Sequence, residues 1–485
     1  MRKTIALILI IVMLILAVSC KPEGTDQTTS NQQTSETATV PEGTTANAKS
    51  VLESFYKEDY SGKSIMILCS NVYNSSIVVQ QAPEEGGPSG DTVNDALYKR
   101  DMMIEGYFGV DIQYTVTPTN SEIKGLAEKD IIAQSGEYDI ILGSMNHTVA
   151  PLALSGYLYD LNELPEIKLN QEWWSKNAQT DLEINGKLFF TTGDITTRYM
   201  VSTYILCFNE KLFGEYGYEN PYQLVYDGDW TIDKMSELIC NTTYDLNSDN
   251  TITDDDFLGL IGTNDSFIPF LNAANQHLLV LEDGIPVVNE SQAMFNMIDE
   301  LTNYLNVPDV KMQDIPYNGS KSFNDNRSLF LAQSAGDLQL LTNMDDDFGI
   351  LPIPKIDASQ DEYYSSANPY ISTGVAIPKT VGDVDIEFVA NMIEVIAAIS
   401  RYTSSEAQYE VTLLLKQTRN QDSLNCLRIA TESTTYDLSM VYSWGANIST
   451  AITNAMLNGT SYSSTFASYT DVTNNLIVKD IAKME

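Results

Sequence analysis

The stretch Ser-Ile-Met-Ile-Leu-Cys at residues 64–69 is a nearly unbroken apolar run of strand length. A strand buried on both faces of a parallel sheet has this pattern. A helical pattern follows, with Asp91 placed to cap it and apolar residues at helical spacing from Val93 to Phe108. Strict alternation of apolar and polar residues over Val110–Val116 then predicts a second strand.

The alternation of strand and helix continues beyond this point. Residues 121–133 predict a helix, and Tyr-Asp-Ile-Ile-Leu at residues 138–142 predicts a third strand. The order β-α-β-α-β indicates an α/β fold with a parallel sheet covered by helices on both faces. Because ligands of such sheets bind beyond the carboxyl ends of the strands, we expect a site to begin at residues 143–147.

The composition excludes several classes of function. The chain has 485 residues, with 27 Lys and Arg against 66 Asp and Glu, and a net charge of −39. A polyanion of this kind is repelled by nucleic acids and by anionic lipid surfaces, so we expect no nucleic-acid partner. Apolar residues make up 43% of the chain, which is enough to bury a core and argues against general disorder.

The N-terminus has the layout of an export signal. A basic start is followed by an apolar run over residues 4–18 and by Ala-Val-Ser-Cys at residues 17–20. This junction resembles the lipobox of bacterial lipoproteins, in which the cysteine is acylated. We therefore expect a signal peptide at residues 1–19, lipidation of Cys20, a flexible linker over residues 20–60, and a location on the extracellular face of the cell membrane. An ordinary secretory signal with a chance cysteine is the alternative.

Five segments resemble, in the same order, the conserved runs of extracellular solute-binding proteins that serve ABC importers. The resemblance is to the carbohydrate-binding, maltose-binding-protein-like family, and it fades after Ser400. The segments are Tyr138–Leu142 with Leu152–Leu161, Gly186–Phe190, Cys207–Phe213, Gly228–Met235, and Tyr363–Tyr364 through Ala376–Lys379.

The resemblance implies a two-lobed periplasmic-binding-protein-like fold of class II, with a hinge made by crossover strands. Lobe one would comprise residues 61–200 and 372–400, lobe two residues 201–371, and the lobe of the helical region 401–485 stays open. The chain would cross near Tyr199–Phe208 and Ser372–Ile377. The implied function is that of a monomer that captures a sugar or oligosaccharide between its lobes and delivers it to an ABC transporter permease.

Candidate ligand-binding residues lie on loops at strand ends or at the expected crossovers. Aromatic rings stack on the C–H faces of sugars, and polar side chains pair with the hydroxyl groups. The candidates are Asn146, His147, Trp173, Trp174, Asp194, Arg198, Tyr199, Asn368, Tyr370 and Trp444. The loop at residues 193–199 ranks highest. For any single aromatic residue the alternative is core packing, and Arg198 could equally be an ion-pair partner. Trp230 is expected to pack, with Thr231 as the cap of the following helix.

A second constellation has the spacing of a calcium-binding loop. Oxygen ligands would occupy loop positions one, three, five, seven and twelve, which suits a hard cation. The predicted ligands of this structural Ca²⁺ are Asp245, Asn247, Asp249, Thr251 and Asp256. Asn250 replaces the usual turn glycine, and the last ligand is Asp rather than Glu, as in dockerin-type loops. An acidic, solvated turn between two helices is the alternative.

The sequence contains no recognisable catalytic motif. It has only two histidines, His147 and His277, and lacks the HExxH, GxSxG and phosphate-binding GxxxxGK[ST] patterns. We therefore predict that the protein is not an enzyme. A glycoside hydrolase, which needs only two carboxylates, is the runner-up, and binding of a peptide or another solute and a dockerin-like adhesion module also stay open.

Four cysteines follow the signal segment, and they are far apart without CxxC spacing. We expect Cys69, Cys207, Cys240 and Cys426 to be small buried hydrophobes rather than disulfide partners.

Overall fold

The computed structural model describes residues 42–72, 79–253, 255–263, 267–313, 316–382, 384–414, 420–458 and 462–484. The predicted signal peptide and Cys20 lie outside these residues. Among the described helices, none has both the length and the apolar run that crossing a bilayer requires.

The strands and helices alternate along most of the chain. The strands are β1 (Ser64–Ser70), β2 (Asp111–Thr117), β3 (Ile140–Ser144), β4 (Tyr204–Asn209), β5 (Leu258–Thr263), β6 (Leu279–Glu282), β7 (Ile285–Val288), β8 (Val310–Gln313), β9 (Ser328–Ser334), β10 (Phe348–Leu351), β11 (Ser365–Ser366), β12 (Thr373–Ala376) and β13 (Thr434–Thr435). The helices up to β5 are α1 (Glu42–Ser54), α2 (Thr92–Phe108), α3 (Asn120–Ala133), α4 (Ala150–Leu154), α5 (Lys176–Leu182), α6 (Arg198–Val201), α7 (Glu210–Tyr216), α8 (Pro221–Asp227) and α9 (Ile232–Ile239). The later helices are α10 (Phe267–Ala273), α11 (Gln292–Leu305), α12 (Pro316–Asn324), α13 (Ile386–Arg401), α14 (Ser404–Leu414), α15 (Gln421–Glu432), α16 (Leu438–Val441), α17 (Ala446–Asn458) and α18 (Ser463–Met484). A π-helical turn covers Met145–Val149, and 3-10 turns cover Leu161–Glu163 and Ala335–Leu341.

The first lobe is built on a four-stranded sheet in the order β12-β3-β1-β2. As the sequence pattern predicted, β1 is parallel to both β2 and β3. The returning strand β12 is antiparallel to β3. Helix α2 begins where predicted, since the Asp91 side chain accepts a hydrogen bond from the Asn94 N–H at 2.8 Å. It ends at Phe108 and is capped by Gly109, whose φ of 73° suits glycine.

The second lobe contains a five-stranded sheet in the order β10-β4-β9-β5-β8. Strand β4 is antiparallel to β9 and β10, while β5 is parallel to β8 and β9. Trp230 is fully buried in this lobe and donates from its indole N–H to the Pro352 carbonyl at 3.0 Å. Thr231 caps α9 by accepting from the Lys234 N–H, so both expectations for this segment are confirmed.

The chain passes between the two sheets twice. Thr191 still bridges Val375 in the first sheet, and β4 begins at Tyr204, so the outward crossing lies between these points. Phe208, which was predicted to lie at the crossing, is inside β4. The return crossing precedes β12 at Thr373.

The predicted flexible linker is wrong for residues 42–54, which form α1. Ala48 and Leu52 are buried in the core, and α1 packs against α2 and α13. Ala48, Val51, Leu52 and Phe55 have helical spacing, which places one weakly apolar face against the lobe.

The four described cysteines are all unpaired. Cys69, Cys207 and Cys426 are buried, as expected of small hydrophobes, and burial raises the pKa of the Cys69 and Cys426 thiols to about 12. Cys240 is exposed, because it follows directly on the last turn of α9, and the prediction was wrong for this residue.

Candidate functional site

A cavity of about 240 Å³ lies beside the outward crossing and is called the hinge cavity below. Helix α15, which supplies one wall, packs against β10 of the second lobe, while the other walls come from residues 172–176, from the crossing segment itself, and from the end of α13 and from α14. The lining residues are Glu172, Trp174, Lys176, Asp194, Tyr199, Arg401, Ser405, Glu406, Tyr409, Arg428 and Glu432. Three of the predicted ligand residues, Trp174, Asp194 and Tyr199, therefore meet in one cavity.

The Trp174 side chain is held in place by a hydrogen bond to a buried carboxylate. Glu394 of α13 accepts the indole N–H of Trp174 at 2.9 Å, the indole N–H of Trp173 at 3.1 Å and the Lys168 N–H at 3.0 Å. Burial raises the pKa of Glu394, and these donors oppose that shift. Trp174 also bridges Gly193, where a Cβ would lie 2.2 Å from the Trp173 carbonyl oxygen, so only glycine fits there. The tryptophan is thus fixed relative to the crossing segment.

Asp194 is buried and faces Arg401 of α13. The carboxylate lies 3.0 Å from the Arg401 Nη1 and is 5% exposed. Burial raises the pKa of Asp194 to about 6, although Arg401 acts in the opposite direction. Arg401 also lies 3.5 Å from Glu172, so one guanidinium joins two carboxylates at the edge of the cavity.

A second arginine joins α15 to α14. Arg428 donates from Nη2 to both oxygens of Glu406, at 2.9 and 3.0 Å, and its guanidinium carbon lies 4.2 Å from the centre of the Tyr409 ring. The Tyr199 hydroxyl donates to the Thr431 carbonyl at 3.3 Å. Burial raises the pKa of Tyr199, so this hydroxyl stays a donor at neutral pH. The hinge cavity therefore combines three aromatic rings with charged hydrogen-bonding groups, a set that suits a polyhydroxylated molecule.

Four more predicted residues form a separate group, called the strand-end patch below, at the carboxyl end of β3. Asn146 accepts from the Ser144 hydroxyl at 3.1 Å, and the exposed His147 ring contacts the Tyr370 ring at 5.1 Å between centroids. Asn368 donates from its backbone N–H to the Ser202 carbonyl at 2.8 Å, which ties the return crossing to the outward one. Tyr370 is 49% exposed, so an aromatic face is open to solvent here.

Two predicted residues use their polar groups for contacts within the protein, and a third does not line the hinge cavity. Arg198 is fully buried and donates to the Ser70 and Val72 carbonyls and to Asn120, so it holds the crossing over the end of β1 rather than a ligand. Trp444 stacks on Tyr442 at 4.4 Å and donates to the buried Asp480 at 3.0 Å. Trp173 gives its indole N–H to Glu394 and does not line the hinge cavity.

A further cavity of about 230 Å³ separates the lobes on the other side of α14. Gln80 and Val93 of lobe one, Gly336 and Gln339 of lobe two, and Gln408 line it, and none of the predicted ligand residues does so. It shows that the lobes leave space between them elsewhere than at the hinge cavity.

The predicted calcium loop connects α9 to β5, not two helices. Asp245 accepts the Ser248 and Asn250 N–H groups, at 2.6 and 2.7 Å, and Asp256 accepts the Leu246 and Thr253 N–H groups, at 2.9 and 2.8 Å. Asn250 takes the left-handed conformation, with φ of 65°. Within the described residues, which omit 254, no three acidic, His or Cys side chains converge as metal ligands do. The calcium site stays a prediction.

Comparison with solved structures decides the fold. A cyclo/maltodextrin-binding protein complexed with maltotetraose superposes with a TM-score of 0.55 at 12% identity, covering 89% of this chain and 97% of that one. The galacto-N-biose/lacto-N-biose I-binding protein of the ABC transporter from Bifidobacterium longum gives 0.54 at 11% identity, covering 87% and 99%. The GacH receptor of Streptomyces glaucescens, solved unliganded and with acarbose, gives 0.52 at 13% identity, covering 86% and 98%.

The chain has the two-lobed fold of ABC-transporter solute-binding proteins. No protein-family model matches it, and no curated protein matches it significantly in sequence. The solved structures named above are binding proteins, not enzymes. At identities this low the comparison concerns the solute-binding fold alone.

In this solute-binding fold, sequence reasoning missed the part of the hinge cavity that comes from α13 to α15. Arg401, Glu406, Tyr409 and Arg428 lie after the point where the resemblance fades, on helices whose faces the sequence does not orient. Glu394 was missed as well, although it is the one charged residue in the mostly apolar stretch of residues 388–399, an unusual feature that points to a buried partner.

Proposed function

We propose that this protein is an extracellular, lipid-anchored solute-binding protein that captures a sugar or oligosaccharide between its two lobes. The monomer then delivers the ligand to the permease of an ABC transporter, without converting it. The fold supports this function, and the hinge cavity carries the assignment because both lobes contribute to its walls.

The chemistry of the hinge cavity favours a neutral carbohydrate. Trp174, Tyr199 and Tyr409 offer ring faces for the C–H groups of a sugar. Both arginines of the cavity already pair with carboxylates, so their remaining donors can serve hydroxyl groups, whereas an anionic ligand would have to compete with those carboxylates.

The lipid anchor rests on Cys20 and on the apolar segment before it. A tethered binding protein remains close to the membrane in which its permease lies, and the strongly negative charge keeps the globular part off an anionic lipid surface. Mass spectrometry of the mature N-terminus tests this anchor. An acylated Cys20 is expected, and an unmodified cysteine would refute it.

Isothermal titration calorimetry with maltotetraose, lacto-N-biose and acarbose tests the binding function. Saturable binding of at least one of them is expected. For that ligand, at least two of the variants Trp174→Ala, Asp194→Ala and Tyr199→Ala should bind about tenfold more weakly or worse, as residues at the centre of a binding site do.

Two further variants locate the ligand. Tyr216→Ala removes an exposed tyrosine from α7 and should leave the affinity unchanged. Tyr370→Ala removes the open ring of the strand-end patch and should have a smaller effect than Trp174→Ala. Unchanged affinity in all three hinge-cavity variants, with a loss in Tyr370→Ala, would place the ligand at the strand-end patch and refute the hinge cavity as the site.

A further inference from the structure

A second groove, separate from the hinge cavity, lies between α13 and the segment that follows α1. Its volume is about 350 Å³, and it shares no lining residue with the hinge cavity. Four aromatic residues line it: Phe55, Tyr56, Tyr60 and Phe108. It is called the α1–α13 groove below.

The aromatic rings form two kinds of wall. Tyr60 and Phe108 stack with 5.8 Å between their centroids, and Phe108 is buried, so this wall is fixed by the core. Tyr56 is 85% exposed, so its ring is free to close over a bound molecule. Ring faces attract a cation through their negative electrostatic potential.

The charges of the groove favour a cation as well. Glu58, Glu166 and Glu387 line it together with the buried Glu394, and Lys168 is the one basic residue among the lining residues. The Lys168 ammonium donates to the Pro165 carbonyl. In the described part of the chain, no Lys or Arg forms an ion pair with Glu166 or Glu387.

Two neighbouring lysines already use the same contact on this face of the lobe. The Lys57 ammonium lies 5.0 Å from the centre of the Tyr107 ring, and the Lys63 ammonium lies 4.6 Å from that of Phe388 while pairing with Asp385 at 3.2 Å. Ammonium groups thus lie against aromatic rings beside the groove, and the Lys63 ammonium also pairs with an acid. The groove offers aromatic rings and carboxylates together, while its own ammonium, that of Lys168, donates to the Pro165 carbonyl.

We propose that the α1–α13 groove is a second binding site, for a small organic cation such as an amine or a quaternary ammonium compound. The rings of Tyr56, Tyr60 and Phe55 surround the apolar part of the cation, and Glu166 and Glu387 balance its charge. This site is independent of the sugar-binding function proposed above.

Calorimetric titration of the full mature protein with choline tests the proposal. The control compound is 3,3-dimethyl-1-butanol, which has the same shape as choline but no charge. Choline is expected to bind and the neutral alcohol to bind at least about fivefold more weakly, the size of a cation–ring contact with a carboxylate nearby. Tyr56→Ala and Glu387→Gln should each weaken choline binding about threefold.

Three control variants separate this site from the rest of the molecule. Tyr216→Ala and Glu300→Gln remove an exposed ring and an exposed carboxylate elsewhere, and Tyr199→Ala alters the hinge cavity. All three should bind choline as the wild type does. No binding of choline at millimolar concentration, equal binding of the two compounds, or equal losses in the control variants would overturn the proposal.

Discussion

Buried charge is the main feature of the hinge cavity at the scale of single residues. Asp194 is enclosed beside Arg401, and its pKa lies near 6 because burial disfavours the charged form more than the arginine favours it. Trp174 is fixed by Glu394, and Arg428 is held by Glu406 and Tyr409. A ligand would therefore meet groups that are already ordered, which lowers the entropy cost of binding.

The buried carboxylate of Asp194 makes stability depend on pH. The folded pKa of about 6 exceeds the ordinary value of 3.8, so the folded state binds the proton more tightly than the unfolded state. The free energy of unfolding should therefore fall as pH rises from 3.8 to about 6, by up to about 3 kcal/mol from this residue. Urea denaturation of the wild type and of Asp194→Asn between these pH values measures this dependence. The free energy of unfolding of the variant should fall less than that of the wild type, and an equal fall in both proteins would contradict the prediction.

Trp230 allows a prediction about the stability of the fold that does not depend on any ligand. It is fully buried, and its ring lies 5.7 Å from that of Phe330. Trp230→Ala should lower the free energy of unfolding by about 3–5 kcal/mol because of the cavity that it leaves. Trp230→Phe keeps much of the packing but leaves the Pro352 carbonyl without its donor, and should cost about 1–3 kcal/mol. Calorimetric melting would contradict this account if both variants were as stable as Tyr216→Ala.

Residue type and position on the chain predicted only part of the site. Trp174, Asp194 and Tyr199 could be selected because they lie near a crossing, where loops from both lobes meet. Arg198 has the same residue type and position as a ligand contact, but it satisfies carbonyls at the end of β1, which the sequence does not reveal.

At the scale of elements, the loop between α9 and β5 has an unusual density of acidic oxygens. Asp245 and Asp249 each accept backbone N–H groups from within the loop, which holds the loop in a tight turn without an ion. Asp256 is buried, and the hydrogen bond from the Thr253 N–H is the largest of the effects that lower its pKa.

The calcium hypothesis predicts a measurable effect on this loop. Millimolar calcium should raise the melting temperature of the wild type and have no effect on Asp245→Ala, because bound ligands stabilise the folded state by mass action. Magnesium is the control ion, since it requires a smaller, octahedral shell. If calcium leaves the melting temperature of the wild type unchanged, the loop is a solvated acidic turn.

The elements of the first lobe were readable from the sequence because their signals are local. An apolar run, an Asp cap and strict alternation each predict one element, and the ladder of β1 with β2 and β3 follows from the order of these elements. Helix α1 was missed because its polar composition hides a short apolar face. The helical character of residues 401–485 was predicted, but the packing of α13 to α15 against both lobes is a long-range property that the sequence does not reveal.

At the scale of the whole molecule, the two sheets are joined by two crossings: Arg198 holds the outward crossing over the end of β1, and Asn368 ties the return crossing to the outward one. A ligand that touches both lobes stabilises the arrangement in which the lobes are closest, so binding and closure are coupled. Most of the 66 acidic residues behind the net charge of −39 lie outside the hinge cavity.

Closure of the two lobes on a bound ligand should be measurable in solution. Small-angle X-ray scattering of the wild type should show a smaller radius of gyration when a bound oligosaccharide is saturating. Trp174→Ala at the same ligand concentration is the matched control and should show a weaker change. Identical scattering of the free and ligand-saturated wild type would contradict a hinge motion.

Capture of a sugar without its conversion is tested by calorimetric titration of the mature protein with a library of neutral oligosaccharides, followed by chromatography of the recovered sugars. We predict saturable binding of at least one sugar, lost or weakened in Trp174→Ala, with the sugar recovered intact. Failure to bind any carbohydrate, or the release of shorter sugars, would contradict it.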